Sequence, residues 1–156
     1  MRIFSALFVL FALAFRAASA DSLPVTRATL PNGLKVVVVR DSLAPVVTTI
    51  MNYKVGGDDQ PIDGLAHATE HMMFRGSKTI SESQLSDISA ITGGNNDADT
   101  QSEVTQFFFS MPSQYLDIAL RLEASRARGL TLSQKAWDIE RGAILNEVTQ
   151  DNSIAV

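Results

Sequence analysis

The chain contains only two histidines, and they lie four residues apart in the order His67-Ala68-Thr69-Glu70-His71. An α-helix turns by about 100° per residue, so on a helix His67, Glu70 and His71 fall within one arc of roughly 100°. Two imidazoles one turn apart can both reach one metal ion, with the glutamate at the edge of the same face. This segment therefore favours a fold that holds it as a helix and places another ordered element opposite it.

A metal site on this helix needs a further ligand. Zinc prefers four ligands, and a catalytic site leaves one of them to water. The chain has no third histidine and no cysteine, so a carboxylate must complete the set. The last predicted helix offers Glu140 and Glu147, which share one face because they are seven residues apart. Next to apolar Ile144 and Leu145, an acidic side chain calls for a partner, which a cation would supply.

Each of these patterns also has an alternative interpretation. Taken without the histidines, Glu140 and Glu147 fit a solvated helix face better than a metal site. A five-residue H-x-x-E-H match can itself arise by chance on a solvated helix. The absence of other histidines and the downstream glutamate pair favour the metal site.

Turn residues divide the chain into strands first and a helix-rich part later. Pro31-Asn32-Gly33 separates β-branched segments 25–30 and 34–40 and predicts a hairpin, and 46–55 predicts a third strand. The next predicted element is a helix over 64–74 capped by Asp63. A second helix follows, capped by Ser81 and Gln84, with an apolar stripe of Leu85, Ile88 and Ile91. An exposed strand over 95–100 and a buried strand over 104–111, which contains Phe107-Phe108-Phe109, come next. Two more helices follow, one capped by Ser113 and carrying Leu116, Ile118, Leu120 and Leu122, the other capped by Ser133 with Trp137, Ile144, Leu145 and Val148 as apolar positions. This order predicts the α+β class, with an antiparallel sheet flanked by helices.

Residues 1–20 are typical of a secretory signal peptide. Arg2 precedes an apolar run, and Ala18-Ser19-Ala20 forms a small-x-small cleavage pattern. The apolar run is shorter than the ~20 residues that a bilayer requires, which favours cleavage over a membrane anchor. We therefore expect an exported mature chain over 21–156, without a stable membrane anchor after cleavage.

The charge of the mature chain excludes one class of partner. Cleavage removes two of the 13 basic residues and none of the 17 acidic residues, which leaves a formal net charge of −6. The basic residues are not clustered, so nucleic acid is not an expected partner.

Several segments, in order, resemble the pitrilysin/insulinase family of zinc peptidases, the inverzincins. They are LPNGL at 30–34, GLAHATEHMMFRGS at 64–77, Gly93-Gly94, residues 98–105 and ERGAILNEV at 140–148. The resemblance runs from about Leu30 to Gln150, and the histidine and glutamate blocks are its most specific parts. It implies that residues 21–156 form an incomplete N-terminal half-domain of the pitrilysin-like fold, carrying the zinc site.

The resemblance also implies roles for the candidate site residues. One zinc ion would be held by His67, His71 and Glu147, with Glu70 as the general base and Glu140 behind the ligands. The implied activity is a zinc-dependent endopeptidase acting on peptides or unfolded segments. Together with the signal peptide, the family implies a periplasmic location.

In this family the substrate is held as an added strand on a sheet edge, which gives affinity through backbone hydrogen bonds. Here that edge would comprise Asp97, Ala98, Asp99 and Thr100. The family usually has Asn-Ala where this chain has Asp97-Ala98, and the added negative charge would weaken or re-tune substrate binding.

The resemblance covers only part of a family member. Family domains continue past the helix of Glu147, and a second, similar domain or subunit closes over the substrate. The resemblance is therefore compatible with part of an active peptidase, or with a non-catalytic piece that keeps the fold and zinc.

Overall fold

The computed structural model describes residues 23–154, so the signal peptide predicted over 1–20 lies outside the described residues. In chain order, the elements are β1 (Val25–Thr29), β2 (Lys35–Val39), β3 (Val46–Tyr53), α1 (Leu65–Met73), α2 (Glu82–Thr92), β4 (Asn95–Thr100), β5 (Thr105–Pro112), α3 (Leu116–Arg128) and α4 (Gln134–Ile154), with a 3-10 turn at Ser113–Tyr115. The chain divides into two compact units, Met1–Leu43 and Ala44–Val156. Within the described residues, no helix is both long and apolar enough to cross a membrane.

The β1-β2 hairpin is the described part of the first unit. The two strands pair antiparallel, with Val25 opposite Val39. The Gly33 N–H donates to the Leu30 carbonyl at 2.8 Å, and Gly33 has a φ of 85°, which glycine adopts without a steric penalty. The hairpin predicted from the Pro-Asn-Gly turn is thus confirmed.

The second unit contains a three-stranded antiparallel sheet in the order β3-β5-β4. Tyr53 of β3 and Thr100 of β4 both lie opposite Thr105 of the central strand. β4 therefore forms one edge of the described sheet, as expected for residues 95–100. The antiparallel sheets and their helices confirm the α+β class.

The core of the second unit forms on one face of β5. Residues of this strand alternate between buried and half-buried positions, and Phe107 and Phe109 are fully buried. The predicted assignment of this phenylalanine run to a core strand is confirmed. The buried cluster consists of Leu85, Phe109, Met111, Ala119 and Leu122.

Two helices begin differently from the sequence prediction. The Asp63 side chain does not cap α1, because the capping residue is Gly64, with a φ of 81° and no side-chain cap bond. Instead, the Gln60 side-chain oxygen accepts the Ala66 N–H at 2.7 Å. Ser113 does not cap α3 either. It starts the 3-10 turn, and α3 begins only after Tyr115.

The other two predicted caps are confirmed. The Ser81 side chain accepts the Gln84 N–H, and the Gln84 side chain accepts the Ser81 N–H, which is a capping box. The Ser133 hydroxyl accepts the Ala136 N–H at 3.1 Å at the start of α4. Each cap satisfies backbone donors that have no partner within their own helix.

Some predicted apolar positions point to solvent instead. Ile91 is 81% exposed because Thr92, seven residues after Leu85, takes the buried position at that end of α2. Leu145 and Val148 of α4 are 60% and 43% exposed. The remaining predicted apolar positions divide into buried Leu122, half-buried Ile88, Ile118, Trp137 and Ile144, and exposed Leu116 and Leu120.

Candidate metal centre

The two histidines face the same side of α1, as their four-residue spacing predicts. Their Nε2 atoms are 3.1 Å apart, and their ring centroids are 4.7 Å apart. Both side chains are only partly exposed, His67 at 25% and His71 at 19%. The helix therefore presents two imidazole nitrogens to one point near the surface.

Helix α4 brings a carboxylate to the same point. Glu147 Oε1 lies 3.6 Å from His67 Nε2, and Glu147 Oε2 lies 3.2 Å from His71 Nε2. The three candidate ligand atoms all lie within 4.8 Å of one another. Among the described residues, His67, His71 and Glu147 are the histidine and acidic side chains whose geometry could hold a metal ion, and they are called the ligand group below.

The donor set and its spacing fit zinc. Zinc–nitrogen and zinc–oxygen bonds of ~2.0–2.2 Å at tetrahedral angles separate neighbouring donor atoms by about 3.3–3.5 Å. The two Nε2 atoms are 3.1 Å apart, Glu147 Oε2 is 3.2 Å from His71 Nε2 and Glu147 Oε1 is 3.6 Å from His67 Nε2, all close to that range. Two imidazoles and one carboxylate leave one tetrahedral position for water or substrate, as catalytic zinc sites do.

Glu140 lies behind His71 and does not join the ligand group. Its Oε2 atom is 2.7 Å from His71 Nδ1, and Glu140 is 5% exposed. A carboxylate accepts the Nδ1–H proton, which leaves the lone pair of His71 Nε2 directed at the ligand group. Helical spacing alone left Glu140 and Glu147 as equal candidates, and the resemblance implied Glu147 as the ligand. The structure places Glu147 beside the two Nε2 atoms and Glu140 behind His71.

Arg75 and Glu82 extend this contact and were not identified from the sequence. The Arg75 Nε and one terminal nitrogen donate to Glu140 Oε1, and the other terminal nitrogen pairs with Glu82 Oε1. Arg75 lies two residues after the end of α1, so helical spacing from His71 could not have indicated it.

Glu70 lies on α1 between the histidines, outside the ligand group. Its Oε2 atom accepts a hydrogen bond from the hydroxyl of Thr100, the last residue of β4. The predicted edge strand β4 and helix α1 thus meet at Glu70, the predicted general base. Sequence reasoning named Thr100 only as part of the edge and did not anticipate this bond.

A cavity of about 420 Å³ lies between the ligand group and β4. Asp97 and Ala98 line it, together with Glu70 and Glu147. Asp99 does not line this cavity, and its carboxylate accepts a hydrogen bond from the Gln101 side chain at 2.6 Å. The structure therefore brings Asp97, Ala98 and Thr100 beside the site and leaves Asp99 outside it.

The sequence and the fold both match known peptidases. An uncharacterised zinc protease of Streptomyces coelicolor is 30% identical over 132 residues, which are 82% of this chain and 29% of that protein. The zinc protease PqqE of Helicobacter pylori is 30% identical over 122 residues, 76% of this chain and 28% of its own length. This chain therefore spans less than a third of these relatives.

The structural similarity is consistent with these sequence matches. The crystal structure of pitrilysin superposes with a TM-score of 0.77 at 29% identity, over 85% of this chain and 14% of the pitrilysin chain. The sequence profile of the family described as insulinase (peptidase family M16) matches residues 35–155, most of the chain. The chain belongs to the insulinase family of peptidases, family M16.

Proposed function

We propose that this chain is the zinc-binding part of a metalloendopeptidase that hydrolyses peptide bonds in peptides or unfolded segments. The convergence of His67, His71 and Glu147 on one point, with Glu70 beside them, is the observation that carries the proposal. Membership of a peptidase family and relatives named as zinc proteases support hydrolysis over metal storage. We further propose that the protein is exported to the periplasm, on the basis of the signal-peptide pattern of residues 1–20 together with the family.

In this proposal the two imidazole Nε2 atoms and the Glu147 carboxylate hold one zinc ion. Zinc bound there would supply Lewis acidity, polarising the scissile carbonyl and acidifying a water molecule. Glu140 keeps His71 in the tautomer whose Nε2 lone pair can bind metal.

Glu70 acts as the general base and then as the general acid. Its carboxylate takes a proton from the attacking water and delivers it to the nitrogen of the leaving amine, so the amide C–N bond breaks without release of an unstable anion. The Thr100 hydroxyl restrains the carboxylate through its hydrogen bond to Oε2. A restrained carboxylate spends more of its time within reach of both the attacking water and the nitrogen of the leaving amine.

The peptide substrate adds to the free edge of β4. An edge strand presents unpaired backbone donors and acceptors, which an extended peptide can satisfy. Asp97 and Ala98 line the cavity between this edge and the ligand group. The negative charge of Asp97 disfavours acidic substrate residues at this position.

The test compares metal content and cleavage in matched variants. Glu70→Gln should retain one zinc per chain and lose about 10²–10⁴-fold in the rate of peptide cleavage, because the proton transfer is lost. Glu147→Gln should lower the zinc content itself, and the surface variant Arg121→Gln serves as the control. Unchanged zinc content in Glu147→Gln would remove this residue from the ligand set. If the wild type cleaves above background, unchanged cleavage in Glu70→Gln would show that Glu70 is not the base.

A second candidate function follows from the extent of the match. The chain spans 29% of the Streptomyces relative, so this piece can retain zinc without turning over a substrate until a second domain or subunit joins it. Wild-type protein with a full zinc content, and with the same background cleavage as Glu70→Gln, would favour this candidate.

A further inference from the structure

Arg75 contacts the residues behind the metal centre but none of the ligand atoms. It follows α1 by two residues and is only 23% exposed. Two of its guanidinium nitrogens contact Glu140 Oε1, and a third contacts Glu82 Oε1 in the first turn of α2. One side chain just after the end of α1 thus contacts the first turn of α2 and Glu140 of α4.

Both carboxylate oxygens of Glu140 are used, each by a different partner. Oε2 meets His71 Nδ1, and Oε1 meets the Arg75 guanidinium. At 5% exposure, Glu140 cannot exchange these partners freely for water. The planar guanidinium fork places two nitrogens on Oε1 while His71 Nδ1 holds Oε2, so the two carboxylate oxygens are held by different partners and rotation of the carboxylate is restricted.

We propose that Arg75 is a positioning residue of the metal centre, which orients the Glu140 carboxylate and through it the His71 ring. Glu82 holds the guanidinium from the opposite side, so that the order of contacts is Glu82, Arg75, Glu140, His71. This inference rests on the proposed function in one respect, that the ligand group binds zinc. It adds that tight zinc binding also depends on Arg75, which is neither a ligand nor the general base.

The first experiment measures zinc affinity of the full chain by competition with a chromophoric chelator. Arg75→Gln should weaken zinc binding by roughly tenfold, since partners of a ligating histidine are worth about 10–100-fold in affinity. Arg75→Lys keeps the charge and loses the fork, so its loss should be smaller. Arg121→Gln removes an exposed arginine paired with Asp117 and should bind zinc as the wild type does.

A second readout separates positioning from a general effect on folding. The chain has two histidines, so the nitrogen NMR spectrum of the metal-free protein contains two imidazoles. In the neutral ring, wild-type His71 should be one tautomer with the proton on Nδ1, because the Glu140 carboxylate accepts that proton. Arg75→Gln should give a mixture of tautomers at His71, and Arg75→Lys should restore most of the wild-type signal.

The outcomes are distinct. Zinc binding by Arg75→Gln within about twofold of wild type, together with an unchanged His71 spectrum, would overturn the positioning role and leave the proposed zinc site intact. If Arg75→Gln does not fold, the Arg75→Lys and Glu82→Gln variants carry the same comparison, with a smaller expected loss. A wild-type chain that binds no zinc would overturn the proposed function, and this inference with it.

Discussion

Glu123 and Arg126 of α3 are opposite charges buried in the second unit, at 3% and 5% exposure. The Glu123 Oε1 atom lies 3.5 Å from an Arg126 terminal nitrogen, and among the described residues neither carboxylate oxygen accepts a hydrogen bond. The guanidinium instead lies over the rings of Phe74 and Phe107, at 5.3 and 5.1 Å from their centroids. Burial is the larger influence on this pair, and it raises the pKa of Glu123 and lowers the pKa of Arg126.

The raised pKa of Glu123 predicts a pH dependence of stability. Above the usual pKa of 4.5, the folded chain binds more protons at this site than the unfolded chain. Its stabilising contribution is therefore complete below that value and is lost as the pH rises through the folded pKa. The free energy of unfolding of wild type minus that of Glu123→Gln should fall as the pH rises from about 4 to about 7.

Urea unfolding at several pH values measures this difference, with a chelator present so that metal binding does not contribute. Glu103→Gln, at an exposed position, is the matched control. A difference that stays level or grows with pH would mean that the Arg126 charge outweighs the cost of burying the Glu123 carboxylate.

At this scale the sequence predicted the part of the site that lies on one helix. The spacing of His67 and His71 places them on one face whatever surrounds the helix. The choice between Glu140 and Glu147 depends on how α4 docks against α1, which spacing cannot determine. Arg75 was missed for the same reason, since its partners come from α2 and α4.

Among the elements, the loop after β3 approaches the β4-β5 turn more closely than a side chain allows. A Cβ atom built at Gly56 would lie 2.2 Å from the Gln101 carbonyl oxygen. The next two residues donate to this turn, with Gly57 N–H to Gln101 and Asp58 N–H to Ser102, both at 2.8 Å. This contact fixes the end of the edge strand that carries Thr100.

Two glycine substitutions should therefore change stability in opposite directions. Gly56→Ala should lower the free energy of unfolding by about 1–3 kcal/mol, because backbone atoms must move to admit the methyl group. Gly142→Ala, within α4 and with open space around the position, should raise it by roughly 0.5–1 kcal/mol through helix propensity. Chemical denaturation of both variants checks the pair, and a neutral Gly56→Ala would mean that the loop relaxes without cost.

Element types were easier to predict than element starts. β-Branched runs between turn residues identified the strands, and the capping box of α2 was correct because all of its atoms lie within four residues. Asp63 and Ser113 failed as caps because Gln60 and a 3-10 turn satisfy those helix starts instead. Leu145 is exposed because it lies off the face of α4 that carries Glu140, Ile144 and Glu147 and that is turned toward α1.

On the scale of the whole molecule, the ligand group joins two helices that are far apart in sequence. His67 and His71 come from α1, and Glu147 comes from the last helix. An ion bound by all three side chains exists only in the folded chain, so metal binding must stabilise folding.

Zinc should accordingly raise the thermal unfolding midpoint. A free zinc concentration 100 times the dissociation constant adds about 2.7 kcal/mol, which for a chain of this size shifts Tm by roughly 5–10 °C. Calorimetry of metal-free protein with added zinc tests this, with magnesium as the matched control ion. A Glu147→Gln variant that shows the full wild-type shift would contradict the joint site.

The order of residues alone was enough for whatever depends on near neighbours in the chain. It established the hairpin turn, the capping box, the strand at 104–111 and the shared face of His67 and His71, because local geometry links residues only a few positions apart. The tertiary structure decided which distant groups meet. The docking of α4 on α1 brought Glu147 to the two Nε2 atoms and Glu140 to Nδ1, and the pairing of β4 at the sheet edge brought Thr100 to Glu70. The packing of whole helices and strands sets these distances, and no local pattern in the sequence encodes that packing.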